Sequence, residues 1–214
     1  MKKLILTSVI AGLLTSNLYA EGKKCKTPGP HIWGCVKEVK IDLNNEKFTI
    51  KRSGAKKITH LYESTFRGRV QPISLKEGIE TIGEIELIKY LQKMQNDKSI
   101  ILVDTRTPGW HVRLTIPGSV NMPYSDFNSK EDTEANLEDL GAVKIKDGVW
   151  DFKNAKTILV FCNGYWCGQT PAMVLKSKYA LTKIGYPLEK IKYYRGGMQA
   201  WTSLGLTVVG DEAK

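Results

Sequence analysis

Sulfur, imidazole and long apolar runs are all scarce in this chain, and each scarcity closes a class of function. Four Cys in 214 residues are too few to staple a disulfide scaffold. None stands in a Cys-x-x-Cys pair, and the three His (His31, His60, His111) are scattered, so neither a metal site nor a cofactor is expected. The chain is basic, with a formal charge of +10. Its Lys residues are nevertheless spread out, without the clustered Arg and interleaved aromatics of a nucleic-acid surface, and they read as solvated faces. What remains of the positive field would draw small anionic substrates toward a site. The apolar stretch Leu4 to Leu14 is well short of the ~20 residues that a membrane span needs.

That stretch has another reading. Residues 1–20 run from a basic start (Lys2, Lys3) through an apolar centre to small residues ending at Ala20, the layout of a secretory signal peptide. No Cys stands at the cleavage point, so a lipid anchor there is not expected. The expected product begins at Glu21, carries a charge of +8 because residues 1–20 hold two Lys and no acid, has no membrane span, and is exported, most simply to a periplasm. In such an oxidising compartment near neighbours are the first pairing to consider, which sets Cys25 with Cys35 and Cys162 with Cys167.

Three parts follow: the signal peptide (1–20), an extension (21–73) and a main domain (74–214). The extension is polar and basic, with a hairpin of Val36–Leu43 and Lys47–Arg52 around Asn44-Asn45-Glu46. It is too small for a core of its own and is expected to pack on the main domain. It also offers a surface for a protein partner. Thr81-Ile82-Gly83-Glu84 reads as a capping box before the stripe Ile85, Ile88, Leu91, Met94. A buried strand at Ile100–Val103, a short strand at Val120–Met122, a helix over Glu131–Leu140 and a hairpin at Lys144–Phe152 over Asp147-Gly148 come next. The strand Thr157–Phe161, a helix Pro171–Ile184 with Thr170 as N-cap and Gly185 as C-cap, the strand Ile191–Tyr194 and a helix Gly196–Leu204 complete the chain. Alternating strands and helices imply an α/β fold of three layers, a mostly parallel sheet covered on both faces.

Cys162 occupies the most informative place. It lies at the carboxyl end of a buried strand, where open α/β sheets put their ligands, and leads through a Gly-containing loop into a helix. Backbone N–H groups of such a loop, backed by the helix start, stabilise an anion and lower a thiol's pKa. Cys162 is therefore the candidate nucleophile. The competing reading is a buried strand Cys that packs as a small hydrophobe.

Three further segments stand at telling distances from it: Val103-Asp104-Thr105-Arg106, Thr115-Ile116-Pro117-Gly118-Ser119-Val120-Asn121-Met122-Pro123, and Tyr194-Arg195-Gly196-Gly197-Met198-Gln199-Ala200-Trp201. Together with the Cys162 loop they resemble the rhodanese domain over roughly Ser74 to Val209. The run Cys-Asn-Gly-Tyr-Trp-Cys-Gly-Gln is similar to the loop of an exported bacterial subgroup. The resemblance implies a rhodanese-like fold and transfer of sulfane sulfur through a persulfide on Cys162. It further implies that N–H groups from Asn163 to Gly168 (through Gly164, Tyr165 and Trp166) hold the terminal sulfur, with Arg106 and Asp104 nearby. Arg106 reads primarily as the buried partner of its own strand end, and Asp104 as an orienter of the loop or a cap of nearby backbone. Family loops often carry an anion-binding Arg five residues after the Cys. Here Cys167 takes that place, which weakens a thiosulfate-to-cyanide activity, and the missing Arg also disfavours related phosphatase chemistry. Trp110 and Trp201 read as packing residues, whereas Trp166 reads as a lip over the sulfur.

Three functions fit. The first is an exported sulfurtransferase that takes sulfur from a small anionic sulfur compound and passes it to a partner thiol or cyanide, or is resolved by Cys167. The second is a thiol-disulfide redox protein that uses Cys162 and Cys167. The third is a weakly catalytic module that binds an anion or a partner protein.

Overall fold

The computed structural model describes residues 25, 29–53, 58–63 and 68–213, so the expected signal peptide lies outside the described residues. Asn44 (φ 52) and Asn45 (φ 65) both take left-handed backbone and make the two-residue turn of a hairpin. Its arms are β1 (Glu38–Leu43) and β2 (Glu46–Lys51), paired from Glu38 with Lys51 to Leu43 with Glu46. Along β1 the residues Val39, Ile41 and Leu43 alternate inward and are buried. Before them, Cys25 and Cys35 lie at disulfide distance, with Cα atoms 5.4 Å apart.

The main domain runs β3 (Glu80–Ile82), α1 (Glu84–Met94), β4 (Ile100–Asp104), α2 (Pro108–Arg113), β5 (Ser119–Asn121) and α3 (Lys130–Asp139). A small hairpin of β6 (Val143–Lys146) and β7 (Val149–Asp151) leads to β8 (Thr157–Phe161). Then come α4 (Gln169–Pro171), continued by a π-helical turn at Ala172–Lys176, β9 (Ile191–Tyr194) and α5 (Gly197–Ser203). Five strands form one parallel sheet in the order β3-β9-β8-β4-β5. Period-two alternation sends the central strands' side chains to two cores. Leu102, Leu159 and Phe161 join α1, α5 and the N-terminal hairpin on one face. Val103, Ile158 and Val160 join α3, Met173 and Val174 on the other. This is the expected α/β architecture of three layers, and it leaves β8 central with its carboxyl end at a loop.

The structure corrects two helix boundaries. Thr81 lies in β3, where its hydroxyl donates to the Ile73 carbonyl (2.6 Å), and α1 starts after Gly83. Glu86 reaches back to accept from the Gly83 N–H (3.2 Å), so the capping interaction is shifted two residues along the chain. The helix expected over Pro171–Ile184 stops at Lys176, because Ser177 turns to extended backbone (φ −51, ψ 160) and the Tyr179 N–H bonds the Phe127 carbonyl instead. Lys183 then covers the freed carbonyls of Lys176 and Ser177 at 2.9 and 2.8 Å. Thr170 is correspondingly inside the first turn, and Gly168 is the N-cap.

Candidate active site

Residues 162–168 leave the carboxyl end of β8 and are pinned from behind by the start of α5. The Met198 N–H donates to the Cys162 carbonyl (3.0 Å) and the Gln199 N–H to the Asn163 carbonyl (2.9 Å). Backbone comes this close only because residue 197 is glycine with φ +55, where a Cβ would lie 2.2 Å from the Cys162 carbonyl oxygen. A turn closes the loop, with the Cys167 N–H on the Gly164 carbonyl at 2.9 Å.

Both thiols are free, and both are buried at 2% and 3% exposure for Cys162 and Cys167. The Cys162 Sγ lies 3.5 Å from the Cys167 carbonyl oxygen, and the Cys167 Sγ lies 3.5 Å from the Gln169 Oε1. The two thiols also influence each other, and their acidities move in opposite directions. Burial, and then donation to Cys167, push the Cys162 thiol well up, against lowering contacts from the Thr170 hydroxyl and N–H. The Cys162 thiol's donation pulls Cys167 down to about 7, helped by the N–H groups of Gln169 and Asn163 and by the Arg106 charge, against the cost of burial. The anion-stabilising loop is thus present, and within it the thiol that is lowered is Cys167, while burial raises Cys162. The short helix supplies Cys162 with Thr170 alone.

Beneath the loop lies a fully buried ion pair. Arg106 donates from Nε to Asp104 Oδ1 (2.9 Å) and from Nη2 to Asp104 Oδ2 (2.6 Å), and Nη2 also reaches the Leu114 carbonyl at 2.6 Å. His111 Nδ1 (3.0 Å) and the Thr115 hydroxyl (2.9 Å) complete the shell of Asp104. Burial opposes ionisation of Asp104, but the bonds from His111 and Arg106 outweigh it and hold the carboxyl below its usual range. With no surface exposed, Asp104 and Arg106 carry the loop rather than line the cavity. Arg106 Nη1 then points upward to the Tyr62 hydroxyl (3.1 Å) and to Asn163 Oδ1 (3.4 Å).

A cavity of about 380 Å³ opens on this loop, lined by Trp110, Asn163, Trp166, Cys167, Gly168 and Gln169. Trp166 stands at its edge, with the indole N–H on Gln199 Oε1 at 3.1 Å. Tyr165 points outward at 41% exposure under the Arg195 guanidinium, 4.9 Å from the ring centre. Among the described residues no group of three His, Cys, Asp or Glu is placed to hold a metal ion, and no helix is long and apolar enough to cross a membrane. Sequence reasoning missed Tyr62, Gln71 and Gln199. Gln71 donates its N–H to the Tyr165 carbonyl (2.7 Å), and Tyr62 bonds Asn163 from 101 residues away. No local pattern marks contacts of that range. Only the position of Gln199 inside the Gly-Gly-Met-Gln-Ala-Trp segment offered a signal.

Comparison with known proteins bears on the domain as a whole. None of the curated proteins matches the chain. Among solved structures, the BH2092 protein from Bacillus halodurans is 20% identical, over 62% of this chain and 78% of its own, at a TM-score of 0.42. Thiosulfate sulfurtransferase from Pseudomonas aeruginosa is 15% identical (66% and 22% covered, TM-score 0.42). The human single-domain sulfurtransferase TSTD1 is 21% identical (57% and 95% covered, TM-score 0.37). The profile of the rhodanese-like domain matches residues 87–204, more than half of the chain, from within α1 to the end of α5. The chain therefore belongs to the rhodanese-like domain family.

Proposed function

We propose that this protein is an exported sulfurtransferase that carries sulfane sulfur as a persulfide on Cys162. The observation that carries the reading is a pair of buried thiols in one loop at the end of the central strand, beside a cavity that Cys167 lines. Cys167, whose thiol is lowered to about 7, serves as the base for the Cys162 proton. When that proton passes to Cys167, the Cys162 thiolate attacks the outer sulfur of a donor. A Cys162–sulfur bond forms, the bond from that sulfur to the rest of the donor breaks, and its electron pair leaves with the donor. The Thr170 N–H and hydroxyl stand beside the resulting persulfide. Export rests on the layout of residues 1–20. A small anionic sulfur compound as donor and a thiol as acceptor suit a basic protein.

Adjacency of the thiols also favours a second reading, in which Cys162 and Cys167 cycle between dithiol and disulfide. Treating the folded, reduced protein with a sulfane donor and then with cyanide separates the two. Sulfur transfer yields thiocyanate that disappears in Cys162→Ser. A redox pair yields no thiocyanate and a protein two hydrogens lighter.

A further inference from the structure

The extension before the main domain reaches the reacting loop at two points. At one end, Tyr62 is buried in a turn of 3-10 helix (His60–Tyr62), with its ring 6.3 Å from that of Trp110. Its hydroxyl accepts from Arg106 Nη1 (3.1 Å) and donates to Asn163 Oδ1 (2.9 Å). At the other end, the Gln71 N–H holds the Tyr165 carbonyl, while Arg195 grips the Gln71 and Pro72 carbonyls at 2.7 and 3.0 Å. Asn163 is the first residue after Cys162, is itself buried, lines the cavity beside Cys167, and has a backbone N–H that is among the contacts lowering the Cys167 thiol.

We infer that Tyr62 is a positioning residue of the site, whose hydroxyl, by fixing the Asn163 side chain against Arg106, keeps the Asn163 N–H directed at the Cys167 sulfur. This deepens the proposed sulfurtransferase and rests on that reading for its consequence in sulfur loading. The chain of bonds is directional. Arg106 has no lone pair to offer, so Asn163 Oδ1 can be shared between two donors, and the phenol supplies the shorter bond. Burial keeps that phenol protonated, so it remains a donor throughout the working pH range. Without it, Asn163 Oδ1 keeps only the 3.4 Å contact to Arg106, which is too long to fix the amide. The extension is then part of the site, and one segment sets both its outer edge and the acidity of its resting thiolate.

The test is the pH dependence of alkylation of the reduced, full-length protein by iodoacetamide, mapped to Cys167. The titratable and charged groups facing the pair are the two thiols, Arg106, Asp104 behind it, Tyr62 and Tyr193, and only Tyr62 is altered in Tyr62→Phe. The N–H of Asn163 is one of several contributors, so the midpoint should rise by about half a unit, which leaves roughly twofold less thiolate near neutral pH. Sulfur loading should slow in proportion. Asn163→Ala should give the same rise, and the double variant should add nothing further. A purely structural tyrosine would lower the unfolding midpoint and leave the alkylation profile in place. Superimposable profiles for wild type and Tyr62→Phe would overturn the inference, as would fully additive shifts. If Tyr62→Phe does not fold, an unchanged profile in Asn163→Ala overturns it alone. The alkylation profile does not depend on sulfur chemistry, so a wild-type protein that never loads sulfur would sink the proposed function while leaving the role of Tyr62 to be decided by these curves.

Discussion

Replacing Gly197 with Ala isolates the contact that holds the Cys162 loop to the start of α5. The backbone there sits at φ +55, where an L side chain costs about 1–2 kcal/mol. The new methyl would lie 2.2 Å from the Cys162 oxygen, 2.8 Å from the Gly164 nitrogen and 3.0 Å from the Asn163 carbonyl carbon. All three are backbone atoms of the loop, so relief requires the loop or the start of α5 to move, and overpacking of this kind costs about 1–3 kcal/mol. The sum is about 3 kcal/mol, or a fall of roughly 6–12 °C in the unfolding midpoint for a domain of this size. Displacing the Cys162 carbonyl also weakens its bond from the Met198 N–H and opens the buried thiols. Calorimetry should therefore show the lower midpoint, and a thiol reagent should modify both cysteines faster in the folded variant. A variant that unfolds within about 1 kcal/mol of wild type and protects its thiols equally would refute the argument that glycine is required here.

Arg106→Met should destabilise by about 3–5 kcal/mol in urea titrations, because it strands the buried Asp104 carboxylate, and pairing it with Asp104→Asn should recover part of that loss. Replacing Cys25 and Cys35 with Ser should cost about 2–3 kcal/mol by removing a short closed loop, and unreduced peptide mapping should recover the two cysteines linked in the wild type. Alkylation of the folded, reduced protein should rise with pH through a midpoint near 7 as Cys167 loses its proton. In Cys162→Ala, which leaves no donor at that position, the midpoint should move up, since the Cys162 thiol's donation is the largest influence lowering it, and an unmoved midpoint would show that this donation does not set the acidity of Cys167.

Much of the fold was legible because its signals are local. Asn44-Asn45 and Asp147-Gly148 announce their hairpins through residues that tolerate left-handed backbone, and the run Thr157–Phe161 announces a buried strand. The end of the helix after Pro171 was not legible. Its periodicity continues past Ser177, while the bond that stops it comes from Phe127, far away in sequence. In the candidate site, Cys162, Cys167 and the Asp104–Arg106 pair stood out by residue type and position. Tyr62 did not, since an aromatic in a basic extension carries no mark of the buried guanidinium it will meet. The opposite shifts of the two thiols were also hidden. They depend first on the burial of Cys162 and on the contact between the thiols, which the fold of the loop sets rather than the spacing.

The central claim is that Cys162 carries the transferred sulfur, and peptide-resolved mass spectrometry after brief exposure to a sulfane donor tests it most directly. The account predicts one added sulfur atom on the Cys162 peptide of the wild type, none in Cys162→Ser, and retained loading in Cys167→Ser, slowed by the loss of the base that takes the Cys162 proton. Sulfur that accumulates in Cys162→Ser and vanishes in Cys167→Ser would contradict it and make Cys167 the carrier.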